Sequence, residues 1–114
     1  MRKTLVLLAT ALLAMPAPAE AQLKAQLHAS GLSFPTEIVQ DPTNPAVQFV
    51  LQKLGRLRVL IHGEAQGTDL IDLTNQTTDE GECGLLGMAF APDYATSGRV
   101  YLHFTDLQCN TVIA

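Results

Sequence analysis

The side chains able to do chemistry fall into a few groups along the chain. Asp79, Glu80 and Glu82 stand just ahead of an apolar run. Such carboxylates can attract a cation, yet their spacing is not that of an EF-hand loop, so as a cluster Asp79, Glu80 and Glu82 read as a solvated loop. His28, His62 and His103 have no carboxylate or cysteine at ligand spacing in the sequence. Each reads as a surface or satisfied strand histidine rather than a base or a ligand. Lys53, Arg56 and Arg58 flank Leu54-Gly55, a hairpin turn, and read as a solvated strand edge rather than a phosphate site. Cys83 and Cys109 are 26 positions apart and lack Cys-x-x-Cys spacing, which argues against zinc. Asn75-Gln76-Thr77 fits the glycosylation pattern, but the leader ahead of it reads as bacterial and removes most of its weight.

The element that must position these groups is the run from Glu82 to Tyr94, ECGLLGMAFAPDY. Leu85, Leu86, Met88, Ala89 and Phe90 make it nearly continuous in apolar side chains, and it is too short and too firmly bounded for a helix. It therefore reads as a strand buried on both faces. Gly84 and Gly87 mark a bulge or a close approach of another backbone or a ligand, and Pro92 ends the ladder. Around it the pattern is all-β. Strands are expected at Phe34–Gln40, Val47–Lys53, Leu57–His62 and Asp69–Thr74, then at 84–91, 99–105 and from Thr111 on, with a short one at Leu23–Leu27. In the third, Leu57, Val59 and Ile61 should share one face and Arg58, Leu60 and His62 the other. Asp41-Pro42-Thr43-Asn44-Pro45 is a turn, 63–67 a loop, and no window after the leader sustains a helical repeat.

Pairing of 84–91 with 99–105 as an antiparallel hairpin would put Cys83 and Cys109 at the same end of the sheet. A disulfide between them is expected, with two separate thiols as the alternative. The bridge needs a Cα separation of roughly 4.4–6.8 Å.

The first 21 of the 114 residues have the grammar of a secretory signal peptide. Arg2 and Lys3 give a basic start, Leu5 to Met15 an apolar core, and Ala19-Glu20-Ala21 a cleavage site before Gln22. The apolar core is too short to span a bilayer. The remaining 93 residues carry five Lys/Arg against ten Asp/Glu, a net charge near −5. An acidic chain is not drawn to nucleic acid or to an anionic membrane surface. Export also makes a disulfide chemically reasonable.

Glu82-x-Gly-Leu-Leu-Gly-x-Ala-Phe-x-Pro-Asp-Tyr94, followed by Ser97-Gly98-Arg99-Val100-Tyr101-Leu102-His103-Phe104-Thr105, resembles the soluble PQQ-dependent sugar dehydrogenases, the glucose/sorbosone dehydrogenase family. Gly31-Leu32-x-Phe34-Pro35 and Leu54 to Leu60 resemble the family's first blade more faintly. The resemblance implies a six-bladed β-propeller, with this chain supplying the first blade and part of the second. Pro42 and Pro92 recur 50 residues apart, in keeping with a propeller blade.

The family oxidises a sugar or polyol hydroxyl with pyrroloquinoline quinone and calcium, in the periplasm or outside the cell. Its catalytic histidine, cofactor cations and calcium ligands come from later blades, so the resemblance assigns none of them here. PQQ and calcium are implied only for a longer protein. One position carries over: Glu82 stands where glucose-oxidising relatives have a glutamine that holds the sugar. An ionised Glu keeps the acceptor and loses the amide donor, which leaves the substrate open. The other reading of Glu82 is a carboxylate that accepts backbone hydrogen bonds and fixes the start of the strand. For 22–114 as a whole the expectation is an inactive N-terminal fragment of the oxidoreductase. The alternative is a propeller used for binding or scaffolding without redox chemistry.

Overall fold

A computed structural model describes residues 21–114, so the signal peptide expected at 1–21 lies outside the described residues except for its last position. Two antiparallel sheets account for nearly all the regular structure. The first contains β1 (Pro35–Gln40), β2 (Val47–Gln52) and β3 (Arg56–Ile61), with the two-residue strands β4 (Glu64–Ala65) and β5 (Ile71–Asp72) both paired to β3. The second contains β6 (Leu85–Phe90), β7 (Val100–Thr105) and β8 (Thr111–Ile113) in sequence order. This is an all-β architecture of successive five- and three-stranded antiparallel sheets, the first blade and part of the second of a propeller.

The turns explain the register. Asp41 Oδ1 accepts hydrogen bonds from the Thr43 N–H (2.7 Å), the Thr43 hydroxyl (2.7 Å) and the Asn44 N–H (3.1 Å), folding the chain from β1 into β2. Gly55 adopts φ 102°, and its N–H donates to the Gln52 carbonyl at 2.9 Å, closing the β2–β3 hairpin. A Cβ there would lie 2.7 Å from Thr77 Cγ2 and 3.0 Å from the Leu73 carbonyl carbon, so the turn admits no larger residue without movement.

The two sheets pack face to face. Phe49, Leu51 and Leu57 of the first meet Leu85, Leu102 and Phe104 of the second. Phe49 and Phe90 rings add a tilted contact, 5.8 Å between centroids. Leu51, Leu57, Leu60 and Leu85 are fully buried, each worth about 1.5–3 kcal/mol relative to exposure.

Four local expectations are corrected. Leu23–Leu27 is not a strand: Leu23 and Leu27 are exposed, and alternation alone makes no ladder without a neighbouring strand. The strand expected at Asp69–Thr74 shrinks to Ile71–Asp72, because the Asp72 carboxylate turns back to accept the Thr74 N–H at 2.9 Å. The loop expected at 63–67 contains β4, which His62 (φ 52°) and Gly63 (φ 81°) turn onto β3. That is the left-handed pair a tight hairpin demands, and it puts His62 in a turn rather than a strand. One helical turn, α1 (Tyr94–Ser97), also forms and ends at Gly98, whose left-handed backbone donates to the Tyr94 carbonyl at 2.8 Å.

Candidate functional site at the seam between the sheets

The first strands of the two sheets, β1 and β6, lie side by side without forming a ladder, and side chains of β1 satisfy the free backbone of β6. The Thr36 hydroxyl donates to the Leu85 carbonyl at 2.8 Å, and the Glu37 carboxylate accepts the Met88 N–H at 2.9 Å. The Leu85 N–H donates to the Lys53 carbonyl at 3.0 Å. Backbone groups at a buried seam must find partners, so these contacts set how closely the sheets meet. Register irregularities between Pro35 and Glu37 and between Leu85 and Gly87 bend both strands at this point.

Of Gly84 and Gly87, only the first is required to be glycine by its surroundings. At Gly84, φ is 141° and a Cβ would strike the Lys53 carbonyl oxygen, so the close approach of another backbone is literal. At Gly87 a Cβ would make ordinary contacts with His103 (Cβ at 3.7 Å, Nδ1 at 3.9 Å) and Glu37 Oε2 (3.8 Å). Glu37 and His103 thus converge on the same glycine. A cavity of about 290 Å³ lies there, bordered also by Ala89, Tyr101 and Ile113. Sequence spacing paired His103 with no carboxylate. The two residues are 66 positions apart, and only the offset register of two bulged strands brings them together. Glu37 also borders a second cavity of about 340 Å³, lined by His28, Leu32, Pro35 and Val50. His28 Nε2 there lies 2.6 Å from Gln48 Oε1.

Glu82 lies at the approach to β6 and is exposed. Its carboxylate accepts no hydrogen bond among the described residues, so it faces water rather than capping backbone amides. Its neighbours are held firmly. Lys53 Nζ donates to the Gly81 carbonyl, the Cys83 N–H to the Glu80 carbonyl at 2.9 Å, and the Gly84 N–H to the Thr105 hydroxyl at 2.8 Å. Cys83 and Cys109 form a disulfide with Cα atoms 5.6 Å apart.

The basic cluster is more internal than a solvated edge. The Arg58 side chain is only 17% exposed and sits 3.0 Å from Asp69, although its Nε points off the hydrogen-bond direction, so charge and not a hydrogen bond makes that pair. Its Nη2 donates to the Gln66 carbonyl at 2.7 Å. Arg56, half-exposed, is 3.5 Å from Asp69 and 3.9 Å from Asp72.

A second cross-sheet contact joins the two Pro-containing turns: the Tyr94 hydroxyl donates to Asp41 Oδ2 at 2.9 Å, with the Tyr94 ring edge-on to Phe90 at 4.6 Å. Burial pushes the Asp41 carboxyl up, but hydrogen bonds from Thr43, Tyr94 and Asn44 outweigh it and hold the group below its ordinary value. Burial, reinforced by the Asp41 charge, pushes the Tyr94 hydroxyl up. Among the described residues no three His, Cys, Asp or Glu side chains gather closely enough to hold a metal ion, Asp79, Glu80 and Glu82 included.

A family model described as glucose/sorbosone dehydrogenase matches residues 32–113, which takes in both sheets and the whole seam. No curated protein matches the chain. Among solved structures it is similar to the PQQ-bound form of aldose sugar dehydrogenase from Streptomyces coelicolor, with 27% identity and a TM-score of 0.65. That similarity covers 77% of this chain and 25% of the other, so the chain spans about a quarter of that protein's length. With strand order, glycine positions and the Pro-Asp-Tyr turn all falling inside the matched region, the chain belongs to the glucose/sorbosone dehydrogenase family.

Proposed function

We propose that this chain is the N-terminal part of an exported, PQQ-dependent oxidoreductase that oxidises a sugar or polyol hydroxyl by hydride transfer to the quinone. The observation that carries the reading is the family match across residues 32–113, joined to the likeness to a PQQ-bound aldose sugar dehydrogenase. The chain's proportion of that protein is in keeping with the first blade and part of the second out of six. So is the outer face of the second sheet, where Tyr101 and Ile113 remain 42% and 66% exposed. On this reading an exported product acts in the periplasm or outside the cell. Among the described residues no helix is long and apolar enough to cross a membrane.

The described residues do not themselves fit a quinone or a calcium ion. Four of the five cations after the leader are engaged: Arg56 and Arg58 with Asp69, Arg99 with Asp93 at 3.9 Å, and Lys53 with the Gly81 carbonyl. The fifth, Lys24, lies in the exposed segment ahead of β1. No metal-binding group is present among them either. The segment's contribution is therefore structural, plus one contact to substrate. What supports this role for Glu82 is that it is exposed and has no hydrogen-bond partner among the described residues, which leaves its carboxylate free to accept hydrogen bonds from sugar hydroxyls. On this reading residues 22–114 are inactive on their own.

In the holoenzyme, Glu82→Ala is expected to raise the sugar KM about tenfold, the loss of one charge-assisted hydrogen bond, with kcat little changed. Steady-state kinetics over a set of aldoses and polyols checks this. An unchanged KM in a folded variant removes Glu82 from the pocket.

A further inference from the structure

The geometry points to the Cys83–Cys109 bridge as a positioning brace for Glu82, an inference that rests on Glu82 being the sugar contact. Glu82 itself is tied to nothing: neither its carboxylate nor its own backbone makes a hydrogen bond among the described residues. Gly81 before it has a left-handed backbone, φ 56°, and open space around it. The direction of the Glu82 side chain is therefore set by what holds residues 81 and 83. On one side that is a single exposed contact from Lys53 Nζ to the Gly81 carbonyl, made by a flexible side chain. On the other side it is Cys83, buried, bonded through its N–H to Glu80 and covalently to Cys109.

Cys109 is a firm anchor because its turn is locked independently of the bridge. The Asp106 carboxylate accepts the N–H groups of Gln108 and Asn110, both at 2.9 Å, and the Asn110 side-chain amide at 3.0 Å. The Asp106 carbonyl accepts the Cys109 N–H at 3.0 Å. Cys109 has φ 66°, a left-handed conformation that a residue with a Cβ keeps only where its surroundings impose it. The bridge thus transmits the order of the β7–β8 turn to the approach to β6. Holding a binding carboxylate in place before the ligand arrives lowers the ordering cost of binding. Removing the bridge should weaken sugar binding without touching the chemical step.

The test compares the holoenzyme with Cys83→Ser/Cys109→Ser, Glu82→Ala and the triple variant. The double cysteine variant is expected to raise the sugar KM about threefold to tenfold with kcat within about twofold. The triple variant should match Glu82→Ala alone, since the bridge acts through that carboxylate. Hydrogen exchange supplies a readout independent of turnover: amides 81–83 should exchange about tenfold faster without the bridge, while the Leu102 amide, inside the second sheet, keeps its protection. If the double variant does not fold, the folded native enzyme is reduced with a phosphine and its thiols capped, and the same measurements are made.

A lowered melting temperature with unchanged KM and unchanged exchange at 81–83 would overturn the proposal and make the bridge a plain staple. If the cysteine variant leaves KM unchanged while Glu82→Ala raises it, the brace fails and the pocket reading stands. If Glu82→Ala leaves KM unchanged, the pocket reading fails and takes the brace with it, whatever exchange shows.

Discussion

Asp41 and Tyr94 show how one hydrogen bond can hold two sheets in relation. Both groups come from Pro-containing turns, one in each sheet, and Asp41 is only 8% exposed. Tyr94→Phe keeps the ring contact with Phe90 and removes only the hydroxyl. Stability should fall by about 1–2 kcal/mol, the cost of a lost hydrogen bond to a buried charge, read as a lower midpoint in urea unfolding. The pair also sets a pH dependence. Asp41 is held below its ordinary value of 3.8, so its contribution is fully present above that pH and is lost as pH falls through the folded-state value. Asp72 and Asp106 are also held low, by hydrogen bonds from Thr74 and Asn110 respectively, and act in the same direction. Tyr94 is held above its ordinary 10.0, so its contribution is complete below pH 10 and is lost as pH rises beyond it. In Tyr94→Phe the loss on the alkaline side should disappear and that on the acid side shrink.

At the scale of elements, β6 is the piece on which both sheets depend, and Gly84 is its least replaceable residue. A Cβ there meets a backbone carbonyl that cannot swing aside, in a conformation side chains rarely adopt. Gly84→Ala is expected to destabilise by several kcal/mol through strain and clash together, whereas Gly87→Ala, with neighbours at 3.7 Å or more, should cost much less. Thermal unfolding of the two variants side by side checks the contrast.

The same strand shows what could be read in advance. Its apolar run, bounded by glycines and Pro92, located β6 to within a residue, and the breakers around 41–45 did the same for β1 and β2. Burial was less legible. Leu60 was expected on the face opposite Leu57 and yet is fully buried like it, whereas Ile61, expected on Leu57's face, is 40% exposed, so along β3 alternation does not separate inside from outside. Arg58 shares the Leu60 face and is drawn in by Asp69, a partner that depends on where the chain returns after β4. Glu37 escaped notice for a related reason: nothing local marks it, and its approach to Met88 and Gly87 exists only once two bulged strands are set side by side.

On the scale of the whole molecule, the second sheet buries Leu85, Leu102 and Phe104 against the first while Tyr101 and Ile113 stay open on the other side. The proposal of a longer propeller gives that face a neighbouring blade. The signal peptide proposed at residues 1–21 adds an independent expectation. Intact mass and N-terminal sequencing of the mature protein should find Gln22 first, and a product retaining Met1 would contradict the export reading.

The central claim, that this segment belongs to a quinone-dependent sugar oxidoreductase and does not act alone, is tested most directly by sugar-dependent dye reduction. The assay, with PQQ and calcium supplied, compares residues 22–114 with the protein read through the frame beyond Ala114. The account predicts reduction by the longer protein, lost when PQQ is left out, and none by residues 22–114. A folded longer protein that binds sugars yet reduces no dye would contradict it and favour a propeller used for binding. Turnover by residues 22–114 alone would contradict it from the other side.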